Sequence, residues 1–452
     1  MGTHLGAWKG GTSVSREKVS TWIRLIGCFV LVAVVAGGTT GCGAVKADAT
    51  GGRPTGHRAT PPEGVFRLGV LGPFTGPSAS TGAEFRGAVT MAFDAAGWQI
   101  GGYTVEPVWI DSQSDPASAA RAYERAVVEG GIEAAILNWH SDVALECMEV
   151  AADYQIPHIF PYGATEAVNA KFRADPERYG YWMNKGWPVP ATLTRAYVEA
   201  IEDAIARGAW EPMDKTAAIC AENTAWGRSF GRAIKQQLQD SGWRVVSEEY
   251  FDLDEVQFYA LLYGLKARDV ALVAATSTSM PSFAAFINQA DEVGLESLII
   301  GDGLGWAGEW HAVTGEASNY VVDQIPVWAT GEGQEFAALF EERWGVAPSP
   351  SAAGLAYDGA GMFIEIARQA LAEYGELSSE TIYRWASENL QTGAWSYTGG
   401  IVMEEYRYTP DTLPDPVVGQ GYYLFPVQQY VDGQARIVYP PQWAEQPLQV
   451  EP

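Results

Sequence analysis

Cysteine is scarce in this sequence: four in 452 residues, and no C-x-x-C pair. That leaves out the zinc and dithiol sites such spacing builds. Positive charge is also in short supply. Lysine and arginine total 29 against 55 acidic residues, a formal net charge of −26. Residues 1–41 hold Lys9, Arg16, Lys18, Arg24 and Glu17, a net of +3, so the rest of the chain carries −29. Such a field argues against a nucleic-acid partner. It also means that an anionic ligand would have to be held by local dipoles. No His, Asp and Glu cluster has metal-ligand spacing, so neither a metal nor a cofactor is expected. Long apolar runs are missing apart from Ile26 to Ala36, which is short for a bilayer span but matches a signal h-region.

Lys18 and Arg24 precede that run, and Thr39-Thr40-Gly41-Cys42 closes it. A small-residue site ending in Gly-Cys resembles a bacterial lipobox. Residues 1–42 are therefore expected to be a lipoprotein signal peptide. Cys42 would be the acylated first residue, holding the protein on the outer face of the cytoplasmic membrane. The alternative is an anchor that is never cleaved. Residues 43–64, rich in Gly, Ala, Thr and Pro without periodicity, are expected to be a flexible tether.

The segment from Phe66 to Phe93 reads as a buried strand (FRLGVL), a turn through Gly72-Pro73 and Gly76-Pro77, and an amphipathic helix. Thr81 and Glu84 fit a capping box opening a helix at about 82–96. A helix N-terminus at the C-terminal edge of a parallel strand is where open α/β sheets take ligands. Strand and helix patterns then alternate. Strands are expected at 65–71, 104–110, 133–137 and 157–160, with helices at 116–129 and 142–154. After a break near 185–190 come strands at 216–220, 244–250, 270–275, 297–300 and 320–327, with helices at 226–241, 255–265 and 281–293. Two such series predict an α/β fold of two doubly wound parallel-sheet lobes. Helices at 334–344, 352–374 and 379–390 have no sheet of their own and are expected to return to the first lobe. The tail 395–440 reads as strand-like, with a hairpin through Asp432-Gly433.

Several segments in this order resemble the periplasmic-binding-protein type I family, in particular the branched-chain amino-acid and amide binding subunits of ABC importers. They are GPFTGPSASTGAEFRGA, DSQSDPASAARAYERAVVEGGIEAAI, IPHIFPYGAT, AENTAWGRSFGRAIKQQLQDSGWRVVSEEYF, LAYDGAGMFIEIARQAL and YLFPVQQYVDGQARIVYP. The resemblance covers roughly 65–440. It implies two lobes joined by three crossings near 186–190, 328–332 and 400–410, closing on a ligand at a hinge. Residues 65–188 plus 330–404 would form one lobe and 189–329 plus 405–452 the other. Cys147 and Cys220 would then be buried free thiols in opposite lobes.

The resemblance further implies a binding protein rather than an enzyme. It would be a monomer that captures an amino acid or amide-like molecule and delivers it to an ABC permease. Alternatives are a ligand sensor for a membrane receptor, or a binder of urea, short amides or aromatic acids. Ser141 and Ala164-Thr165 match family residues that hold the ligand carboxylate, with Gly163 supplying backbone; on its own, Ser141 reads as an N-cap. Trp226 matches an aromatic that packs on the ligand. Asp302, with Ser277 and Thr278, ends strands facing the cleft, and Asp302 is the candidate partner for an ammonium. Thr81, Trp139, His140 and Tyr162 depart from the family pattern and point to a cleft more aromatic than one built for leucine. Two motifs are set aside. Gly227-Arg228-Ser229-Phe230-Gly231 satisfies G-x-S-x-G, but Ser229 lies past the strand-to-helix turn. Gly303-Leu304-Gly305-Trp306-Ala307-Gly308 satisfies G-x-G-x-x-G, but no clear helix follows.

Overall fold

A computed structural model describes residues 63–328 and 330–450. The expected signal peptide, Cys42 and nearly all of the tether lie outside the described residues. The first sheet has five strands: β1 (Val65–Gly72), β2 (Gln99–Ile100), β3 (Tyr103–Asp111), β4 (Ala134–Ile136) and β5 (His158–Ile159), in the order β2-β3-β1-β4-β5. All of its pairings are parallel except β2 with β3. The second sheet has seven: β6 (Thr216–Glu222), β7 (Arg244–Phe251), β8 (Leu272–Thr276), β9 (Leu298–Asp302), β10 (Val322–Gln324), β11 (Val427–Val431) and β12 (Gln434–Tyr439), in the order β12-β11-β10-β9-β8-β6-β7. β11 pairs antiparallel with both β10 and β12, and the hairpin through Asp432-Gly433 joins it to β12; the other pairings are parallel. The central strands read as unbroken apolar runs because helices cover both faces. Phe66, Leu68, Val70 and Leu71 of β1 are fully buried, as are Leu272, Val273, Ala274 and Ala275 of β8.

Helices α1 (Ala79–Ala95), α2 (Pro116–Val128), α3 (Ser141–Tyr154), α4 (Glu166–Ala174) and α5 (Pro176–Tyr179) belong to the first series. Helices α6 (Pro190–Ala206), α7 (Ala225–Asp240), α8 (Tyr259–Lys266), α9 (Met280–Glu292) and α10 (Trp310–Thr314) belong to the second. The chain then returns. Helices α11 (Gly331–Trp344), α12 (Leu355–Tyr374) and α13 (Ser379–Asn389) follow the second sheet, yet α11 and α12 pack on α1, and the Phe363 ring lies 6.0 Å from Phe66 of β1. Apolar burial on α12 leaves no other sheet to take it.

Four expectations are corrected. First, α1 begins at Ala79, a turn before the expected capping box, so Thr81 lies inside the helix. Glu84 is drawn away from Thr81 because its carboxylate accepts backbone N–H groups from Gly308, Ser349 and Ala353 at 2.7–3.2 Å. Second, α6 follows directly on the expected break, in a segment where no helix was expected. Pro190 sits in the first turn, where proline's missing N–H costs nothing, and Leu193, Tyr197, Ile201 and Ala204 make its buried stripe. Third, Glu166–Ala174 and Pro176–Tyr179 are helical where no helix was expected. Fourth, residues 395–426 form isolated bridges rather than strands. Their aromatics are pinned by hydroxyls instead of a ladder: Tyr406 donates to Asp358, Tyr408 to the Lys185 carbonyl and Tyr423 to the Gly186 carbonyl. Cys147 and Cys220 are buried, unpaired thiols, on α3 and β6.

Candidate functional site

The C-terminal ends of β4 and β5 face those of β6, β8 and β9 across a cavity. It holds about 30 Å³ of free volume and is lined by Trp139, His140, Ser141, Tyr162, Ala164, Trp187, Trp226, Thr278 and Trp306. Each lining residue is 8% exposed or less, so the loops of the two sheets are shut over it.

From the first sheet, β4 gives way to a loop in which Asn138 Nδ2 donates to the His140 carbonyl, 3.0 Å. That bond presents Trp139, His140 and Ser141 just as α3 opens. His140, not Ser141, takes the N-cap position; Ser141 is the first helical residue. After β5 the backbone turns at Gly163 (φ +29°), where an added Cβ would lie 2.5 Å from that of Ala144. Only glycine lets this loop approach α3 so closely. Tyr162 lies before that turn and Ala164 after it. Thr165 caps α4 by position without a side-chain cap bond, and its Oγ1 is buried without a partner.

From the second sheet, Thr224 Oγ1 accepts the Gly227 N–H at the start of α7, and the adjacent Trp226 donates its indole N–H to Thr276 Oγ1, 3.0 Å. After β8, Thr278 donates to Glu222 Oε2 at 2.8 Å and lies 3.3 Å from His140 Nδ1. The glycine-rich loop after β9 is not a phosphate cradle. The N–H groups of Gly303 and Gly305 donate to the Asp323 carboxylate, at 3.1 and 2.8 Å. Gly303 (φ +106°) turns the chain into a short 3-10 segment that delivers Trp306. Trp187 comes from the stretch between the sheets.

The four indoles form walls. Trp306 meets Trp139 at 89° with centroids 5.6 Å apart, Trp187 at 84° and 5.7 Å, and Trp226 at 66° and 5.4 Å. Tyr162 meets Trp139 at 5.5 Å. The indole N–H groups of Trp139, Trp187 and Trp306 and His140 Nε2 are buried without a partner. Burial holds the His140 imidazole down to about 3, so it is neutral. Neither lysine, arginine, aspartate nor glutamate lines the cavity.

Seven of the twelve expected ligand residues line this cavity: Trp139, His140, Ser141, Tyr162, Ala164, Trp226 and Thr278. Five do not. Thr81 is inside α1, Gly163 and Thr165 are not lining residues, and Ser277 Oγ accepts the Ser279 N–H. Asp302, the expected ammonium partner, is taken by the core: Tyr197 donates to its Oδ1 at 2.7 Å, and burial raises its carboxyl well above the usual range. Trp187 and Trp306 are the residues missed. The signal for Trp306 was the glycine-rich loop after a strand, read only as a nucleotide motif; for Trp187 the sequence held none.

Contacts across the cleft surround the cavity. Ser78 Oγ donates to the Thr278 carbonyl (2.6 Å), Ser279 Oγ to the Pro77 carbonyl (3.2 Å) and the Ala225 N–H to Asp142 Oδ2 (2.9 Å). Ser229, buried on α7, donates to Glu166. Among the described residues, no group of three or more metal-ligating side chains occurs, and no helix is long and apolar enough to cross a membrane.

The sequence profile of the periplasmic binding proteins matches residues 65–403. A leucine-, isoleucine-, valine-, threonine- and alanine-binding protein of Pseudomonas aeruginosa is 24% identical over 268 residues, which span 58% of this chain and 66% of that one. A solute-binding protein of Rhodopseudomonas palustris, solved with 3,4-dihydroxybenzoic acid, superposes with TM-score 0.68 at 19% identity over 82% of this chain and 95% of that one. The substrate-binding protein LivJ of Streptococcus pneumoniae, solved with isoleucine, gives 0.64 at 16% identity over 82% and 97%. At these identities the two structures establish the shared fold, that of a type I periplasmic binding protein.

Proposed function

The chain belongs to the periplasmic binding protein family, and on that premise we propose that it is an extracytoplasmic solute-binding protein of an ABC importer. It captures a small amino-acid-like or amide-like molecule between lobes 65–188 plus 330–404 and 189–329 plus 405–452. It then hands that molecule to a membrane permease. The observation that carries this reading is the cavity itself: buried, aromatic, and built from loops of both sheets, so that a ligand touches both sides only when they are shut. Binding therefore favours closure. In this reading Cys42 carries the lipid and the protein works as a monomer at the membrane surface. In this reading it binds rather than catalyses, and Ser229, the serine of the G-x-S-x-G pattern, is a helical residue bonded to Glu166.

The test is a thermal-shift screen of the chain lacking residues 1–42 against amino acids, N-methylated amino acids, amides and aromatic acids. A ligand that binds the native state raises the melting temperature by mass action. A shift with at least one of these solutes is expected; no shift with any of them overturns the reading.

A further inference from the structure

We infer that the solute carries a fully N-methylated ammonium head, which sits in the cage formed by Trp139, Trp187, Trp226, Trp306 and Tyr162. This rests on the solute-binding reading above and narrows it to one ligand chemistry.

Three observations lead there. The first is the arrangement of the rings. Trp306 crosses Trp139 and Trp187 at 89° and 84°. Steeply crossed rings make a box with several π faces. A box of indoles is the site a compact cation prefers, because each face presents the negative part of its quadrupole.

The second is the lack of ionic partners. A primary ammonium brings three N–H donors and needs acceptors, best of all a carboxylate. No carboxylate lines the cavity, and Asp302, the one placed nearby by the sequence, is committed to Tyr197 and Thr276. A trimethylammonium has no N–H to satisfy and offers only methyl groups to the rings. Likewise no lysine or arginine lines the cavity, so a ligand of net negative charge would meet no compensating charge there. The neutral His140 adds no positive charge to oppose a cation.

The third is the field of the whole molecule. A net charge of −26 draws cations toward the cleft and repels anions. If the ligand also carries a carboxylate, donors remain for it: Ser141 at the first turn of α3, and the indole N–H groups of Trp139, Trp187 and Trp306, which are buried without protein partners.

The experiment is a calorimetric titration of the chain lacking residues 1–42 with trimethylammonioacetate, choline and tetramethylammonium. Glycine, leucine and benzoate are run alongside. So is 3,3-dimethylbutanoate, which replaces the charged nitrogen of trimethylammonioacetate by carbon at almost unchanged shape. At least one trimethylammonium compound is expected to bind. This isostere, which lacks the positive charge, should bind about tenfold or more weakly than trimethylammonioacetate, since the attraction to the rings needs that charge. Trp306→Ala should lose at least that factor, and Trp226→Leu serves as a second variant should Trp306→Ala fail to fold. Binding of leucine or benzoate with none of the trimethylammonium compounds overturns this inference and leaves the solute-binding reading standing. Equal affinity for 3,3-dimethylbutanoate also overturns it. No binding by any solute in either screen overturns both.

Discussion

The indole rings of Trp139 and Trp306 meet edge to face, 5.6 Å apart and at 89°. One is carried by the loop after β4 and the other by the loop after β9, so the contact joins the two sheets directly above the cavity. It exists only while the cleft is shut. Tryptophan emission should therefore report closure: a ligand that binds and shuts the cleft is expected to shift the emission to shorter wavelength as water leaves these rings.

Gly303 controls where Trp306 stands. Its φ of +106° is open to glycine alone, and an added Cβ would lie 2.5 Å from the Trp306 ring. Gly303→Ala is expected to cost about 1–3 kcal/mol in stability. It should also weaken ligand binding beyond what that loss explains, because the ring is pushed from its place. Urea unfolding and titration of the same variant separate the two effects; unchanged affinity would show that Trp306 does not depend on this turn.

Closure is held in part by Asp142, whose Oδ2 accepts the Ala225 N–H at the start of α7, 2.9 Å away. A carboxylate at a helix N-terminus on the opposite side of a cleft favours the shut state. Asp142→Ala is expected to weaken closure by about 1 kcal/mol. Small-angle scattering should then give a larger radius of gyration without ligand, and affinity should fall about fivefold. A variant with the same radius and affinity would remove Asp142 from the latch.

Burial pushes the Glu84 carboxyl up to about 8, against three backbone N–H donors that favour its charge, and pushes Asp358 up to about 7. Unfolded, both carboxyls titrate near their ordinary values, so the folded chain holds protons that the unfolded chain has released. Stability should fall as pH rises from about 6.5 to 8, by at most about 1.4 kcal/mol per pH unit for each group. His140 and His158, held down to about 3 by burial, act in the opposite direction and only below about 6.5, the ordinary histidine value. Glu84→Gln cannot titrate and should flatten the slope between pH 6.5 and 8. Unfolding curves at three pH values in that window check it; an unaltered slope would mean Glu84 is ionised in the fold.

Lys185 is fully buried, with Nζ 2.7 Å from Asp415 Oδ1 and 2.7 Å from Asn169 Oδ1. It ties the stretch before Trp187 to the late loop around Pro414, whose carbonyl accepts the Lys185 N–H. Lys185→Met leaves Asp415 without its cation and is expected to cost about 3–5 kcal/mol. Replacing Asp415 by Leu as well should recover part of that. If the double variant is no more stable than the single one, the loss comes from packing rather than charge.

Burial raises both the Cys147 and the Cys220 thiols. A maleimide applied to the native chain should leave both unmodified, with modification appearing in denaturant. Peptide mapping reads each site separately, and labelling of either one in the native state would contradict its burial.

The alternation of apolar strands and amphipathic helices was enough to read two parallel sheets, the return of the last helices and the closing hairpin. These follow from local periodicity, which records which face of each element is buried. The resemblance to the periplasmic binding proteins, laid over those elements, singled out Trp139, His140, Ser141, Tyr162, Ala164 and Trp226 at or near strand ends and helix starts, where ligands bind. It could not say which strand-end side chains turn inward. Asp302 and Thr81 sit at positions as suggestive as any, yet one is claimed by Tyr197 and the other lies inside a helix that starts a turn early. Trp187 and Trp306 joined the site through loops whose course depends on distant partners: Asp323 for the turn at Gly303, and the Lys185–Asp415 pair for the stretch before Trp187. The sequence alone thus determined the main strands and the helices that cover them, though not α4, α5 or α6, because burial leaves a local pattern. Only the tertiary structure decided the aromatic cage, because its walls come from segments that lie far apart in the chain and meet only when the sheets are shut.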